Sequence, residues 1–253
     1  MIHHFLITSS SGLVLYSREF TSSLAQPRLV GSLLTALVEF SKKNVSLPVS
    51  YIELEKVAVA VSVSESTRII CAVFFDSEDG FYFGKLISTE LLLAFSQVYT
   101  ENIENVNRLD NFGDFSSKLP DILISCLGCV LNELKATGFV DNAVLFYGDD
   151  ILANTFSEES YYFVSFCKEL IRSANGLVSS SSDKLQSITL ETQPEQGLGG
   201  VQSKQLVVYQ LEHCLYLVVL LPSNQKESAV YETNRIISLL EKLFDTALSL
   251  GSF

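Results

Sequence analysis

Hydrophobic positions along this chain follow two periods, and the periods succeed one another in the same order twice, over residues 2–134 and again over residues 142–250. Short runs that alternate or are continuously apolar mark strands, and apolar residues three and four apart mark helices. The order read from them is strand, tight turn, strand, helix, strand, strand, strand, helix. The first copy opens with Ile2-His3-His4-Phe5-Leu6-Ile7-Thr8, turns at Ser9-Ser10-Ser11-Gly12 and returns through Leu13-Val14-Leu15-Tyr16. The second opens with Ala143-Val144-Leu145-Phe146-Tyr147, turns at Gly148-Asp149-Asp150 and returns over residues 151–156. Gly12 and Gly148 are expected to supply the positive φ of the two turns. The likeness lies in pattern, not in residue identity.

After the first hairpin, Pro27 starts a helix with an apolar stripe of Val30, Leu33, Leu34, Leu37 and Phe40, while Ser32, Thr35, Glu39 and Lys43 take the opposite face. Leu37 is therefore expected in the core. Tyr51-Ile52-Glu53-Leu54-Glu55 alternates, which suits an edge strand with one wet face. Residues 57–63 and 68–75 are nearly continuous apolar runs rich in β-branched side chains, the pattern of central strands covered on both faces. Helices are thus expected on each side of the sheet. Asp76-Ser77-Glu78-Asp79-Gly80 closes it, and Leu86, Ile87, Leu91, Ala94, Phe95 and Val98 carry the next helix. A further helix begins near Pro120, runs through Ile122, Leu123, Cys126, Leu127, Val130 and Leu134, and stops at Gly138. This reading places one domain over residues 1–137 and a second over residues 141–253.

In the second copy a helix is signalled by Ser157 as N-cap, Glu158 and Glu159 in the first turn, Arg172 in the last, and Asn175-Gly176 as a left-handed terminator. Residues 179–182 read as a loop and residues 187–192 as an edge strand with Ile188 and Leu190 inward. Residues 193–204, with Pro194 and three glycines, read as a hairpin loop. Residues 205–211 and 214–221 supply the last strands. Ile236, Leu240, Leu243 and Ala247 line the closing helix, with Leu240 expected in the core.

Composition narrows the function. A chain of 253 residues with 47% hydrophobic content has enough apolar side chains for two domain cores. Its net charge of -12, without a run of Lys or Arg, offers no footprint for nucleic acid or an anionic bilayer, so attachment to lipid is expected to need a partner. The N-terminal stretch lacks the basic-then-apolar layout of a targeting segment. The longest apolar runs, residues 57–61 and 214–221, fall well short of the roughly 20 residues of a membrane-spanning helix. A cytosolic protein is expected. Cys71, Cys126, Cys129, Cys167 and Cys214 stand among apolar neighbours and read as buried free thiols.

Few residues suggest chemistry. Cys126-Leu127-Gly128-Cys129 lacks the second ligand pair that structural zinc requires. On a strand His3 and His4 face apart and do not chelate one ion, one being expected half-buried and the other solvated. His213 and Cys214 are read as strand or turn, because strand neighbours point away from each other and cannot form the hydrogen bond of a nucleophile and its base. Asp76, Glu78 and Asp79, and separately Asp149 and Asp150, do not match a calcium loop and read as turn and solubility residues. Gly197-Leu198-Gly199-Gly200 opens no helix and lacks the Lys-Ser/Thr of a phosphate loop. No catalytic, cofactor-binding or metal-ligating residue is assigned and no cofactor is expected, which favours an interaction protein over an enzyme.

The element order, Met1-Ile2-His3-His4-Phe5-Leu6-Ile7-Thr8-Ser9-Ser10-Ser11-Gly12, Tyr51-Ile52-Glu53-Leu54-Glu55-Lys56-Val57-Ala58-Val59-Ala60-Val61 and Tyr99-Thr100-Glu101-Asn102-Ile103 together resemble the longin domain. That domain occurs in longin-type SNAREs and in the medium and small chains of clathrin adaptors. The resemblance covers most of residues 1–137. A second longin-like unit follows instead of a heptad-patterned SNARE segment or a cargo-binding β domain, an arrangement similar to the tandem-longin proteins related to Fuzzy, the Hermansky–Pudlak syndrome proteins and the Mon–Ccz subunits. It implies an α/β (α+β) protein of two longin-like domains, each a mainly antiparallel five-stranded sheet flanked by helices. It further implies a non-enzymatic subunit of a cytosolic membrane-trafficking complex. Such a subunit is expected to join other longin-containing proteins in a hetero-oligomer, to engage a small GTPase of the Rab type, and to reach endomembranes peripherally through its partners, with no nucleic acid bound. An adaptor-like subunit of a vesicle coat is the alternative, and a small-molecule enzyme using the Asp and Glu turns a third reading. The expected mechanism is surface presentation, with residues 51–55 as an exposed sheet edge.

Overall fold

The computed structural model describes residues 1–21, 26–99, 112–157, 160–178, 186–191, 203–222 and 226–251. The chain begins with β1 (Ile2–Thr8), β2 (Val14–Glu19), α1 (Pro27–Phe40), β3 (Tyr51–Glu53), β4 (Val57–Val63), β5 (Ile70–Asp76) and α2 (Gly80–Tyr99). After α3 (Leu119–Ala136) come β6 (Asn142–Tyr147), β7 (Asp150–Asn154), α4 (Tyr161–Val178), β8 (Ser187–Glu191), β9 (Lys204–Gln210), β10 (Leu215–Pro222) and α5 (Lys226–Ser249). The strands form two five-stranded sheets ordered β2-β1-β5-β4-β3 and β7-β6-β10-β9-β8, antiparallel at every pairing. The two sheets therefore repeat one topology. The likeness extends to a register shift near the turn of each leading hairpin, between Ile7 and Thr8 and between Leu145 and Phe146. Two compact units are distinguished, Met1–Cys126 with Lys242–Phe253, and Leu127–Glu241, so the division falls within α3 and α5. Gly138, with φ +74°, follows the end of α3.

In the first unit the leading turn is built as its residues suggest. Gly12 has φ +81°, and the Ser9 hydroxyl accepts the N–H groups of Ser11 and Leu13 at 3.3 Å each. The central strands are covered on both faces. Ile70, Ala72 and Phe74 of β5 pack with Leu34 and Val38 of α1, while Phe75 lies under α2 at Gly84. A Cβ on Gly84 would overlap the Phe75 ring and stand 2.9 Å from Ala60 Cβ, so the missing side chain lets α2 lie close on β4 and β5. An aromatic cluster closes the core. Phe95, Tyr99, Phe112 and Phe115 pack at centroid distances of 4.8 to 6.3 Å, and Tyr16 meets Phe115 at 5.2 Å.

In the second unit Gly148 has φ +54° at the equivalent turn. Val164, Cys167 and Ile171 of α4 pack on Val144, Phe146, Leu206, Val208, Tyr216 and Val218. Alternate residues of the same strands, Ala143, Leu145, Leu217 and Val219, are also fully buried, and so is Leu240. Helix α4 continues through Asn175 and Gly176, correcting the terminator expected there. The Asn175 amide donates to the Tyr216 hydroxyl at 2.8 Å, so its side chain anchors the helix to the sheet instead of capping an end. Ser157 lies before α4, and its carbonyl accepts the Ser160 N–H at 2.9 Å in a single turn. The expectations for residues 158–159, 179–182, 100–103 and most of 193–204, including Gly197-Leu198-Gly199-Gly200, lie outside the described residues.

Candidate interaction surface

The orientation of α1 departs from its hydrophobic stripe. Its buried residues are Gly31, Leu34, Thr35 and Val38, whereas Leu29, Leu33, Leu37 and Phe40 are 63, 59, 39 and 62% exposed. Leu37 is thus not the core residue expected. A Cβ on Gly31 would stand 2.9 Å from Thr8 Cγ2 and 3.3 Å from Val14 Cγ2, so the helix face with the smallest side chain sits against the β1–β2 hairpin. Close approach turns the larger leucines outward. The signal for this was present as Gly31 and Thr35 four apart, flanking the spacing of Leu34 and Val38. A count of apolar residues scores glycine and threonine as non-core and misses it.

The edge strand β3 is shorter than expected, ending at Glu53, and its two faces differ. Tyr51 packs toward α2, meeting Phe81 at 5.5 Å and Phe75 at 6.4 Å between centroids, while Glu53 and Glu55 beyond it are exposed, as expected of the wet face. Ile52 and Leu54 instead join Leu33 and Leu37 of α1, with Val57, Val59 and Phe74, around an open apolar groove of about 500 Å³. Leu54 is 57% exposed. Among the described residues no strand other than β4 pairs with β3. An apolar concavity and an open sheet edge therefore lie side by side.

Both histidines border this groove, and neither is solvated as expected of one of them. His4 is fully buried, with Nε2 2.8 Å from the Ser17 hydroxyl and its ring edge-on to Phe74 at 6.0 Å. Burial pushes its pKa down to about 4, so the imidazole is neutral and the groove carries no charge from it. Its Nδ1 has no hydrogen-bond partner among the described residues. His3 is held by the Thr21 hydroxyl at 2.6 Å and Asp76 at 2.7 Å. Burial acts to raise the Asp76 carboxyl, but hydrogen bonds from the N-terminal ammonium at 2.5 Å and from His3 prevail and hold it below its ordinary value.

The other chemical candidates resolve into structural roles. Asp79, read as a solvated turn residue, has a buried carboxylate that takes the N-terminal ammonium at 2.5 Å and also the Lys242 ammonium. Asp149 is exposed and bound by Arg172 through two hydrogen bonds of 2.7 and 2.9 Å, which lower its pKa. Burial pushes the Cys71 thiol up to about 12 and the Cys167 thiol up to about 11, leaving both protonated and poorly nucleophilic. Cys126 is buried, but Cys129 is only half-buried and Cys214 is exposed, correcting the reading of five buried thiols. Cys214 and His213 occupy the turn before β10 with left-handed backbones, φ +60° and +54°. Turn geometry, not strand pairing, exposes them. Among the described residues no helix is long and apolar enough to cross a membrane.

The chain is thus a pair of α/β units, each an antiparallel five-stranded sheet of the same topology with helices packed on it, of which the first presents an apolar groove beside an open sheet edge. No protein-family model matches it, and a search of curated proteins finds no match. Among solved structures it is similar to MglB of Myxococcus xanthus, at 11% identity over 49% of this chain and 91% of that one, with a TM-score of 0.40. It is likewise similar to the gliding protein MglB of Thermus thermophilus, at 13% identity over 49% and 91% of the two chains, with a TM-score of 0.36. A Roadblock/LC7 domain from Streptomyces avermitilis matches 39% of this chain and 85% of its own at 16% identity, with a TM-score of 0.29.

Proposed function

We propose that this chain is a non-enzymatic subunit of a cytosolic membrane-trafficking complex that joins another longin-containing protein and engages a small GTPase of the Rab type. The observation that carries this reading is the groove between α1 and β3 with the open edge of β3 beside it. Leu33 and Leu37 contribute little to the chain's own core, yet they line one groove with Ile52 and Leu54. A partner segment that adds its backbone to β3 and places apolar side chains in that groove would satisfy both features at once. The chain would act by presenting surface. Any effect on nucleotide exchange would come from the assembled complex favouring one state of the GTPase.

The test is gentle affinity purification of the full chain from native cytosol, beside a Leu33→Asp/Leu37→Asp variant whose fold is checked by circular dichroism. The reading expects a longin-containing protein and a Rab-type GTPase with the parent chain, and their loss with the folded variant. A parent chain that is strictly monomeric, without a stable partner, overturns it. Coat subunits in place of a GTPase would favour the adaptor-like alternative.

A further inference from the structure

The segment that leaves α1 inverts the usual division of labour between polar and apolar side chains. Ser41–Val45 form one π-helical turn, closed by Ser46 with φ +59°. Polar contacts hold it: the Asn44 amide donates to the Phe40 carbonyl at 3.0 Å, and the Ser41 hydroxyl donates to the Leu47 carbonyl. The apolar side chains point away from the fold. Phe40, Val45 and Leu47 are 62, 54 and 64% exposed, far more than large apolar residues need to be in a unit with ample core. Lys42 and Lys43 stand between them, and residues 40–52 contain no carboxylate in a chain of net charge -12.

The turn between β4 and β5 adds a third cation. Arg68, exposed and with φ +56°, lines a cleft of about 300 Å³ with Lys42, Lys43, Ser10 and Ser64. Two carboxylates border the same cleft, Glu39, paired with Lys43 at 3.2 Å, and Glu65. Among the described residues no carboxylate forms an ion pair with Lys42 or Arg68. The fold thus brings Arg68 from a separate segment to the cleft of Lys42 and Lys43, where three cations face two carboxylates, and Lys42 and Lys43 lie in the chain between the exposed Phe40, Val45 and Leu47.

We propose that this surface, Phe40–Leu47 with Arg68, is a direct contact site for an anionic lipid bilayer. Cations at the headgroup level and apolar side chains reaching the acyl boundary are what an anionic membrane surface rewards together. An acidic protein segment would match the cations, but it would leave Phe40, Val45 and Leu47 facing water. The contact would give the protein a membrane affinity of its own, weak and sensitive to salt, in addition to any conferred by partners.

The chain contains no tryptophan, so Leu47→Trp installs a single reporter at the contact. The full chain carrying it is titrated with phosphatidylcholine vesicles, with and without phosphatidylserine, and followed by tryptophan emission and vesicle flotation. A blue shift and co-flotation with the phosphatidylserine vesicles, reversed by added salt, are expected. Lys42→Ala and Arg68→Ala, each exposed and so tolerated by the fold, should each weaken partitioning about fivefold and together about 25-fold. Phe40→Ser should weaken it without changing its salt dependence. The proposal is overturned if the emission does not move, if phosphatidylcholine alone binds as well, or if the Lys42 and Arg68 variants bind like the parent. A shift with polyglutamate but not with phosphatidylserine vesicles also overturns it, in favour of an acidic protein segment.

Discussion

Leu33 and Leu34 are sequence neighbours with opposite environments, and truncating each in turn tests the orientation of α1 on which the groove depends. Leu34 is 5% exposed and shares one cluster with Val38 of the same helix and with Leu6, Val59, Val61, Ile70, Ala72 and Phe74 of the sheet beneath it. Leu34→Ala removes the equivalent of about two to three buried methylenes at roughly 0.8 kcal/mol each, and the cavity left in a sheet-backed cluster adds to that. The expected loss is about 3 kcal/mol. Leu33 is 59% exposed, so most of the atoms removed by Leu33→Ala are already in water and alanine is at least as good a helix former. Its expected change is within about 0.5 kcal/mol. Equilibrium unfolding in urea, followed by far-ultraviolet circular dichroism with a shared m-value, measures both. Equal losses, or a larger loss for Leu33→Ala, would show that α1 sits on its leucine stripe and that the groove is not there. Under the proposed function the binding results run the other way, with Leu33→Ala weakening partner association.

Gly84→Ala should destabilise the protein by about 1 to 3 kcal/mol, because overlap with Phe75 outweighs the roughly 1 kcal/mol that alanine gains over glycine within a helix. Gly128→Ala, whose Cβ would meet only Ala153 Cβ at 4.0 Å, keeps that gain and should stabilise, so denaturation midpoints moving in the same direction would refute the close-packing account. Leu240→Asp should prevent cooperative folding, since a charge is buried without a partner, whereas Leu37→Asp should leave the circular dichroism spectrum unchanged. His4, with a folded pKa of about 4 against an ordinary 6.5, binds its proton less readily in the native state. Stability should therefore fall as pH drops from about 6.5 to about 4, by at most about 3 kcal/mol, and His4→Phe should flatten that limb of the stability profile. The lowered Asp76 acts in the same sense at still lower pH, so a decline that is unchanged in His4→Phe would clear His4 of the effect.

Periodicity is a local property, and what it determined was local. The run from Val57 to Val63, the turns at Gly12 and Gly148 and the helical stripe through Leu240 could be read from nearby residues, because strand and helix repeats are set by backbone geometry within a few positions. Repetition of that local order also disclosed the two-sheet architecture. The tertiary structure alone decided which face of α1 is buried, since that depended on Gly31 meeting Thr8 and Val14 across a gap that only a missing side chain can close. It decided that Asp79 is buried, through Lys242, which is remote in sequence. The groove and the basic turn have the same origin. Leu33 and Ile52 line one groove, and Lys42 and Arg68 one cleft, only when β5 returns to the centre of its sheet beside β1 with β4 between it and β3, a pairing fixed by long-range hydrogen bonds and packing that no short window of sequence contains.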